Sequence, residues 1–286
     1  MEKKEIVKIN DEFLKKRPLS YSSLKNFRLS PKHYYQYVTK PRKPPTDAML
    51  LGSMVECLTI SPDEFTKQFN IYSKFSRQSN EGKARWNNML VEAQKNNQTL
   101  VNDELYKKAE LIKESVLSHE ETMRYIDGKT AYQKKLTWVD KNTKLPIIGY
   151  VDLETKLELS DQLIICDMKV SNNGEPDKWM RWPADEFDVQ LQVGSYLTGY
   201  HKISYQFPDF IFILVESVEP YNVSMIYCDN KYTKEAKAEF KATLTAFRYC
   251  MDEDKFDMGY DFWLMDTRDY FSMKRPWKPK LTIRDY

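Results

Sequence analysis

The chain has 286 residues, and its 44 Lys+Arg against 42 Asp+Glu leave a formal charge of +2, so any basic footprint must be local. With 41% hydrophobic and 14% aromatic residues it has the composition of a folded protein with a sizeable core, which excludes disorder as the dominant state. No apolar run approaches the roughly 20 residues of a membrane span, and Met1 to Asn10 lack an apolar signal core, so the expectation is a cytoplasmic chain without a membrane partner.

The residue inventory narrows the chemistry. Cys57, Cys166, Cys228 and Cys250 form no Cys-x-x-Cys pair, and the three histidines are dispersed, which excludes zinc fingers, haem attachment and His-Glu-x-x-His proteases. Eight glycines occur, none in a phosphate-cradling loop. Catalysis, if present, rests on carboxylates, lysines or hydroxyls.

In chain order, residues 18–46 come first, with Lys25, Arg28, Lys32, Lys40, Arg42 and Lys43 interleaved with Tyr21, Phe27, Tyr34, Tyr35 and Tyr37 and no acid. The mixture suits phosphates and bases, and it equally suits an amphipathic helix followed by a Pro-rich loop. A helix is predicted over Asp47–Ile60, its apolar face formed by Leu50, Leu51, Met54, Val55 and Leu58, with Gly52, Ser53 and Glu56 on another. Residues 62–128 read as a mostly helical insertion. Strands follow at Tyr132–Val139, Leu145–Thr155 and Leu163–Val170, separated by turns and forming an antiparallel meander. A helix from about Ala184 to His201, strands at Phe210–Ser217 and Val223–Cys228, and a helix over Thr233–Met251 complete the pattern, ahead of a basic tail (Lys274, Arg275, Lys278, Lys280, Arg284). No linker or repeat divides the chain, so one domain over 1–286 is expected.

Within the meander, Asp152 interrupts one apolar strand, and Asp167 and Lys169 share a face of the next by the two-residue period. If these strands are neighbours, Asp152 can stand across from Asp167. Two carboxylates and an ammonium in an apolar sheet are costly unless paired or cation-bound. Oxygen ligands suit Mg²⁺ or Mn²⁺, with Lys169 placed to manage a water; a buried Asp–Lys salt bridge is the plainer alternative.

Four motifs in order carry a resemblance. Asp152 followed by Asp167-x-Lys169 resembles the signature of the PD-(D/E)XK nuclease superfamily. Ser20-Tyr21-Ser22-Ser23-Leu24 before Pro31-Lys32-His33-Tyr34, Gly52-Ser53-Met54-Val55-Glu56 in place of Gly-[ST]-x-x-His, and Gln192-Val193-Gly194-Ser195-Tyr196 are similar to its RecB-like branch, most of all to RecE (exonuclease VIII)-type phage recombination exonucleases. Glu56 stands where that group carries His. Clustered cysteines of the iron–sulfur relatives and the ATP motif of the helicase-fused ones are missing.

The resemblance implies an α/β fold with a mixed central sheet flanked by helices. It implies Glu56, Asp152, Asp167 and the Met168 carbonyl as ligands for one or two Mg²⁺ or Mn²⁺. Lys169 would handle the attacking water, and Gln192 and Tyr196 would orient Lys169 or the DNA strand. Ser23, Arg28, Lys32 and Tyr34 are the DNA-binding candidates, with a helix-cap role for Ser23 as the alternative. Relatives digest linear duplex DNA from 5′ ends as ring-shaped homo-oligomers and cooperate with a single-strand annealing protein, and the same is expected here. A structure-specific or restriction-type endonuclease, and a DNA-binding recombination protein with a decayed site, are the alternatives.

Overall fold

The structure is a computed structural model that describes residues 7–157, 161–181 and 183–257. The basic tail from Lys274 lies outside the described residues, as do residues 158–160 of the turn expected between the second and third strands of the meander.

The first helices are Asp11–Lys16 (α1), Tyr21–Leu29 (α2) and Pro31–Thr39 (α3). Ser20 and Ser23 form a reciprocal capping box that starts α2, and Ser30 caps α3 ahead of Pro31. Leu19, between α1 and α2, exchanges backbone hydrogen bonds with Pro146 and Ile148, which anchors this N-terminal layer to the sheet. Asp47–Ile60 (α4) starts at the Thr46 cap and has the predicted bounds.

The expected helical insertion holds α5 (Phe65–Gln68), α6 (Asn80–Lys95), α7 (Asp103–Leu117) and α8 (Glu120–Asp127). It also holds two short parallel strands, β1 (Phe69–Tyr72) and β2 (Thr99–Asn102), too short to register as periodicity.

The main sheet has the order β3-β4-β5-β6-β7: Lys129–Val139, Pro146–Lys156, Leu163–Ser171, Asp209–Glu216 and Val223–Cys228. β3–β4–β5 is the antiparallel meander, β5 and β6 are parallel, and β6–β7 is antiparallel. The parallel step requires a crossover, and helices supply it. The single helix expected from about Ala184 to His201 is instead two, α10 (Pro183–Phe187) and α11 (Val189–Ser204), after a short α9 (Pro176–Arg181). Asp188 between them has φ 55°, a left-handed conformation that ends one helix and turns the chain into the next. The final helix, α12 (Asn230–Asp252), begins three residues earlier than expected because Asp229 caps it.

Two apolar clusters cover opposite faces of the sheet. One joins α2, α3, α11 and α12 to Ile147, Val151, Ile165, Phe210 and Phe212. The other joins α4, α7 and α8 to Leu153, Cys166, Met168, Ile211 and Ile213. α11 is buried along nearly its whole length, and at Gly194 it lies so close to α12 that a Cβ would come within 2.1 Å of the Ala236 carbonyl oxygen. Among the described residues no helix is long and apolar enough to cross a membrane.

Candidate active site

Alternation places Asp167 and Lys169 on the face of β5 that also carries Leu163 and Ile165, toward α11. There Gln192 Nε2 donates to Asp167 Oδ1 at 2.5 Å and approaches Tyr196 Oη at 3.4 Å, so the helical spacing of four delivers both side chains to one spot. Gln192 was expected at Lys169 or the DNA strand; its bond is to Asp167. Lys169 Nζ forms an ion pair with Asp167 Oδ2 and lies 6.0 Å from the Phe212 ring centroid. The Gln192 Oε1 is buried without a hydrogen-bond partner among the described residues.

Asp152 arrives by a different device. Along β4, Ile147 and Val151 belong to the α11 face, yet Leu153 belongs to the α4 face, although a strand should return to the same face every second residue. β3 does the same: Leu136 and Trp138 face α11, and Tyr132 packs with the α4 cluster. The exchange occurs at Gln133 and Asp152, which oppose one another between the rungs Lys134–Val151 and Tyr132–Leu153. Gln133 has φ 48°, the left-handed twist that lets β3 change faces. The β4–β5 ladder also stops here, its last rung being Leu153–Cys166. Asp152 turns into the resulting slot and accepts the Met168 N–H at 3.2 Å.

Glu56 of α4 enters the slot from the other face. Gln133 Nε2 donates to Glu56 Oε1 and, at 3.2 Å, to Asp152 Oδ1. Gln133 was missed in the sequence, where it lies unremarked inside the strand expected over Tyr132–Val139. Burial, then repulsion from Glu56 and Asp167, holds the Asp152 carboxyl well above the usual carboxylate range. Burial also pushes Glu56 up to about 7, with Asp167 adding to it and the Gln133 hydrogen bond opposing it. Lys169 loses by burial, but the carboxylates of Asp167 and Asp152 outweigh that loss and raise it.

Once ionised, three acids against one lysine leave negative charge in excess at a largely buried point, and the donors are all hard oxygens, which fits a divalent cation of the Mg²⁺ class. Among the described residues no group of three or more His, Cys, Asp or Glu already stands as a metal cage. Gln133 fills the space between Glu56 and Asp152, and Lys169 holds Asp167.

The DNA-binding candidates fare differently. Arg28, expected to face phosphate, is buried and paired with Asp188 at 3.1 Å and Glu239 at 3.7 Å, so it ties α2 to α11 and α12. Tyr34 is buried among Phe27, Phe247 and Phe256, and the Ser23 hydroxyl is engaged in the capping box. In this structure Arg28 makes a buried ion-pair link, Tyr34 packs in the aromatic core and Ser23 helps cap α2. Lys32 is exposed. Ser23 and Tyr34 do border a pocket of about 440 Å³ that opens among Lys16, Arg17, Ser22 and Arg42 and reaches Gly149 and Tyr196. A Cβ at Gly149 would lie 3.0 Å from the Tyr196 ring, so the ring seats directly on the β4 backbone.

No curated protein matches the chain. Among solved structures it is similar to the crystal structure of a "Putative exonuclease" from Eubacterium rectale, with a TM-score of 0.59 and 15% sequence identity over 87% of this chain and 88% of that one, a likeness of fold. Residues 20–258 match the family described as "PDDEXK-like domain of unknown function (DUF3799)". That span takes in the slot, all of its carboxylates and the helices that supply Glu56 and Gln192, and the chain belongs to this PDDEXK-like nuclease-fold family.

Proposed function

We propose that the chain is a metal-dependent exodeoxyribonuclease that hydrolyses linear duplex DNA from its ends, in the 5′ to 3′ direction of the RecE-type enzymes it resembles. The observation that carries the reading is the meeting of Glu56, Asp152, Asp167 and Lys169 in one buried slot, within a PDDEXK-like family match. The likeness to a structure named as an exonuclease favours the exonuclease over the endonuclease alternative.

Glu56, Asp152, Asp167 and the Met168 carbonyl would hold Mg²⁺ or Mn²⁺, which when bound supplies charge stabilisation at phosphorus and lowers the pKa of a bound water. Lys169, an ammonium held beside Asp167, positions the water. Gln192 fixes the Asp167 carboxylate so that Lys169 and the carboxylate keep one geometry. Tyr196, between that pair and the 440 Å³ pocket, meets the DNA end, and the Lys16, Arg17 and Arg42 side chains at the pocket counter its phosphates. A role in phage-type recombination beside a single-strand annealing protein, as a ring-shaped oligomer, follows from the RecE resemblance alone.

The test is nucleotide release from linear duplex with Mg²⁺, with closed circular DNA as control and a chelator as blank. Release from the linear form only is expected, with Ca²⁺ permitting binding without turnover. Full activity in excess chelator overturns the mechanism, and cleavage of the closed circle moves the reading to an endonuclease.

A further inference from the structure

Of the basic and aromatic residues of 18–46, Arg28, Phe27 and Tyr34 are internal, and a second basic and aromatic surface lies at the corner where β1 runs into α6. Residues 65–101 carry Lys67, Lys74, Arg77, Lys83, Arg85 and Lys95 against only Glu81 and Glu92. Lys67 and Lys74 are taken by Glu64 and Glu104. Arg77, Lys83 and Arg85 are exposed, and none has an ion-pair partner among the described residues.

Two of these cations are laid on rings. The Arg77 guanidinium carbon is 3.3 Å from the Trp86 ring centroid and 5.5 Å from that of Tyr72, and its Nη2 donates to Tyr72 Oη at 2.8 Å. The Arg85 guanidinium is 4.3 Å from the Phe75 centroid. Tyr72 meets Trp86 edge to face at 5.2 Å, and all three rings are half-buried. The loop bearing Phe75 and Arg77 is pressed onto the first turn of α6, where a Cβ at Gly82 would fall 2.1 Å from the Ser76 carbonyl oxygen. The Gly82 N–H donates to the Ser79 cap, and the missing side chain is what lets the loop close over it. The arrangement is built in advance of any ligand.

Planar guanidinium–aromatic stacks with free cations beside them match the two parts of a nucleic-acid strand, the π-faces of bases and the phosphates. In a duplex the base faces are covered by one another, so these planes are open only to an unpaired strand. The corner is also close to the slot along the chain: Phe69, at the start of β1, belongs to the apolar cluster against which Tyr132, the neighbour of Gln133, packs, and β1 then covers roughly 10 Å to Tyr72.

We propose that this corner binds single-stranded DNA, its bases stacking on the Arg77–Trp86 and Arg85–Phe75 planes and Lys83 meeting a phosphate. The proposal deepens the nuclease reading and rests on it for the unpaired strand that digestion of one duplex strand leaves. Binding is measured on the full chain by fluorescence anisotropy with a labelled oligo-dT of about 20 nucleotides, in chelator so that nothing is cleaved. Arg77→Ala and Trp86→Leu are each expected to weaken it ten-fold or more, and Lys83→Ala to lower the salt slope by about one. Gly82→Ala should weaken it without removing any contacting side chain. Unchanged affinity in folded Arg77→Ala and Trp86→Leu overturns the proposal, as does an equal loss of duplex binding. The two readings fail separately: if no DNA is hydrolysed with any metal while the oligo-dT losses stand, the nuclease reading falls and this surface remains.

Discussion

Gln133 and Asp152 face each other across β3 and β4 at the point where both strands exchange faces, and the amide of the first is hydrogen-bonded to the carboxylate of the second. The same amide nitrogen reaches Glu56, so one neutral side chain separates two buried acids. Gln133→Ala leaves both carboxylates without that donor and should lower metal-free stability by about 1–3 kcal/mol near neutral pH. Mn²⁺ should then raise the Tm more in the variant than in the wild type. Gln133→Gly removes the same amide but suits φ 48°, so it should lose less stability than the alanine. Thermal unfolding with and without Mn²⁺ measures all three; an equal Mn²⁺ response in wild type and Gln133→Ala disproves the bridging role.

For the acids themselves, Asp152→Asn should preserve or raise metal-free stability, since it relieves repulsion in the slot, whereas Asp167→Asn leaves Lys169 without its counter-charge and should lower it; both should remove most nucleotide release. Lys169→Ala should keep Mn²⁺ and DNA binding and lose cleavage. The decisive result against this is Asp167→Asn that still digests linear duplex, which is how an ordinary core ion pair would behave.

Much of this site was legible in the sequence because it follows short-range rules. The two-residue period put Asp167 beside Lys169, and the four-residue spacing put Gln192 beside Tyr196. The rest depends on backbone states and distant partners. A left-handed residue in mid-strand leaves no mark in composition, which hid Gln133, and a left-handed Asp188 split a helix whose apolar pattern runs on unbroken. Arg28 looked like a surface cation because its acids, Asp188 and Glu239, come from α11's cap and from α12.

Burial makes Arg28 a folding residue. Arg28→Ala strands two acids and should cost roughly 3–5 kcal/mol by chemical unfolding, and adding Glu239→Gln should restore part of it. Lys32→Ala, at an exposed position, should leave stability unchanged and lower the salt slope of duplex binding by about one if it meets phosphate.

The same cluster sets a pH dependence. Burial pushes Glu239 up to about 7 and Asp188 up to about 6 against the pull of Arg28. Both values lie above those of the unfolded chain, so the folded state holds these protons more tightly. Their contribution is complete below about pH 4 and is lost as pH rises through 6 and 7. Glu239→Gln should flatten the decline in Tm between pH 5 and 8 and gain about 1 kcal/mol at pH 8, a figure reduced for the partial exposure of the side chain. A decline as steep as in wild type would count against the assignment.

Gly52 lies one turn before Glu56 in the middle of α4, and a Cβ there would meet nothing within 4 Å. Among the described residues nothing requires glycine there, so Gly52→Ala should stabilise by about 1 kcal/mol. If the bare backbone beside Glu56 is where DNA comes close, the same change should raise KM for duplex several-fold with kcat nearly intact. Higher stability with unaltered KM removes that role for the open face.

A β-sheet normally insulates the layers on its two sides, and here it has a slot. Glu56 is carried by the layer on one side, Asp167 is braced through Gln192 by the layer on the other, and Asp152 stands in the opening between them. Repacking beneath α4 or along α11 therefore changes the spacing of the same three oxygens. A substitution that shifts Glu56 from one side is felt at Asp167 on the other, with the geometry of the slot as the link.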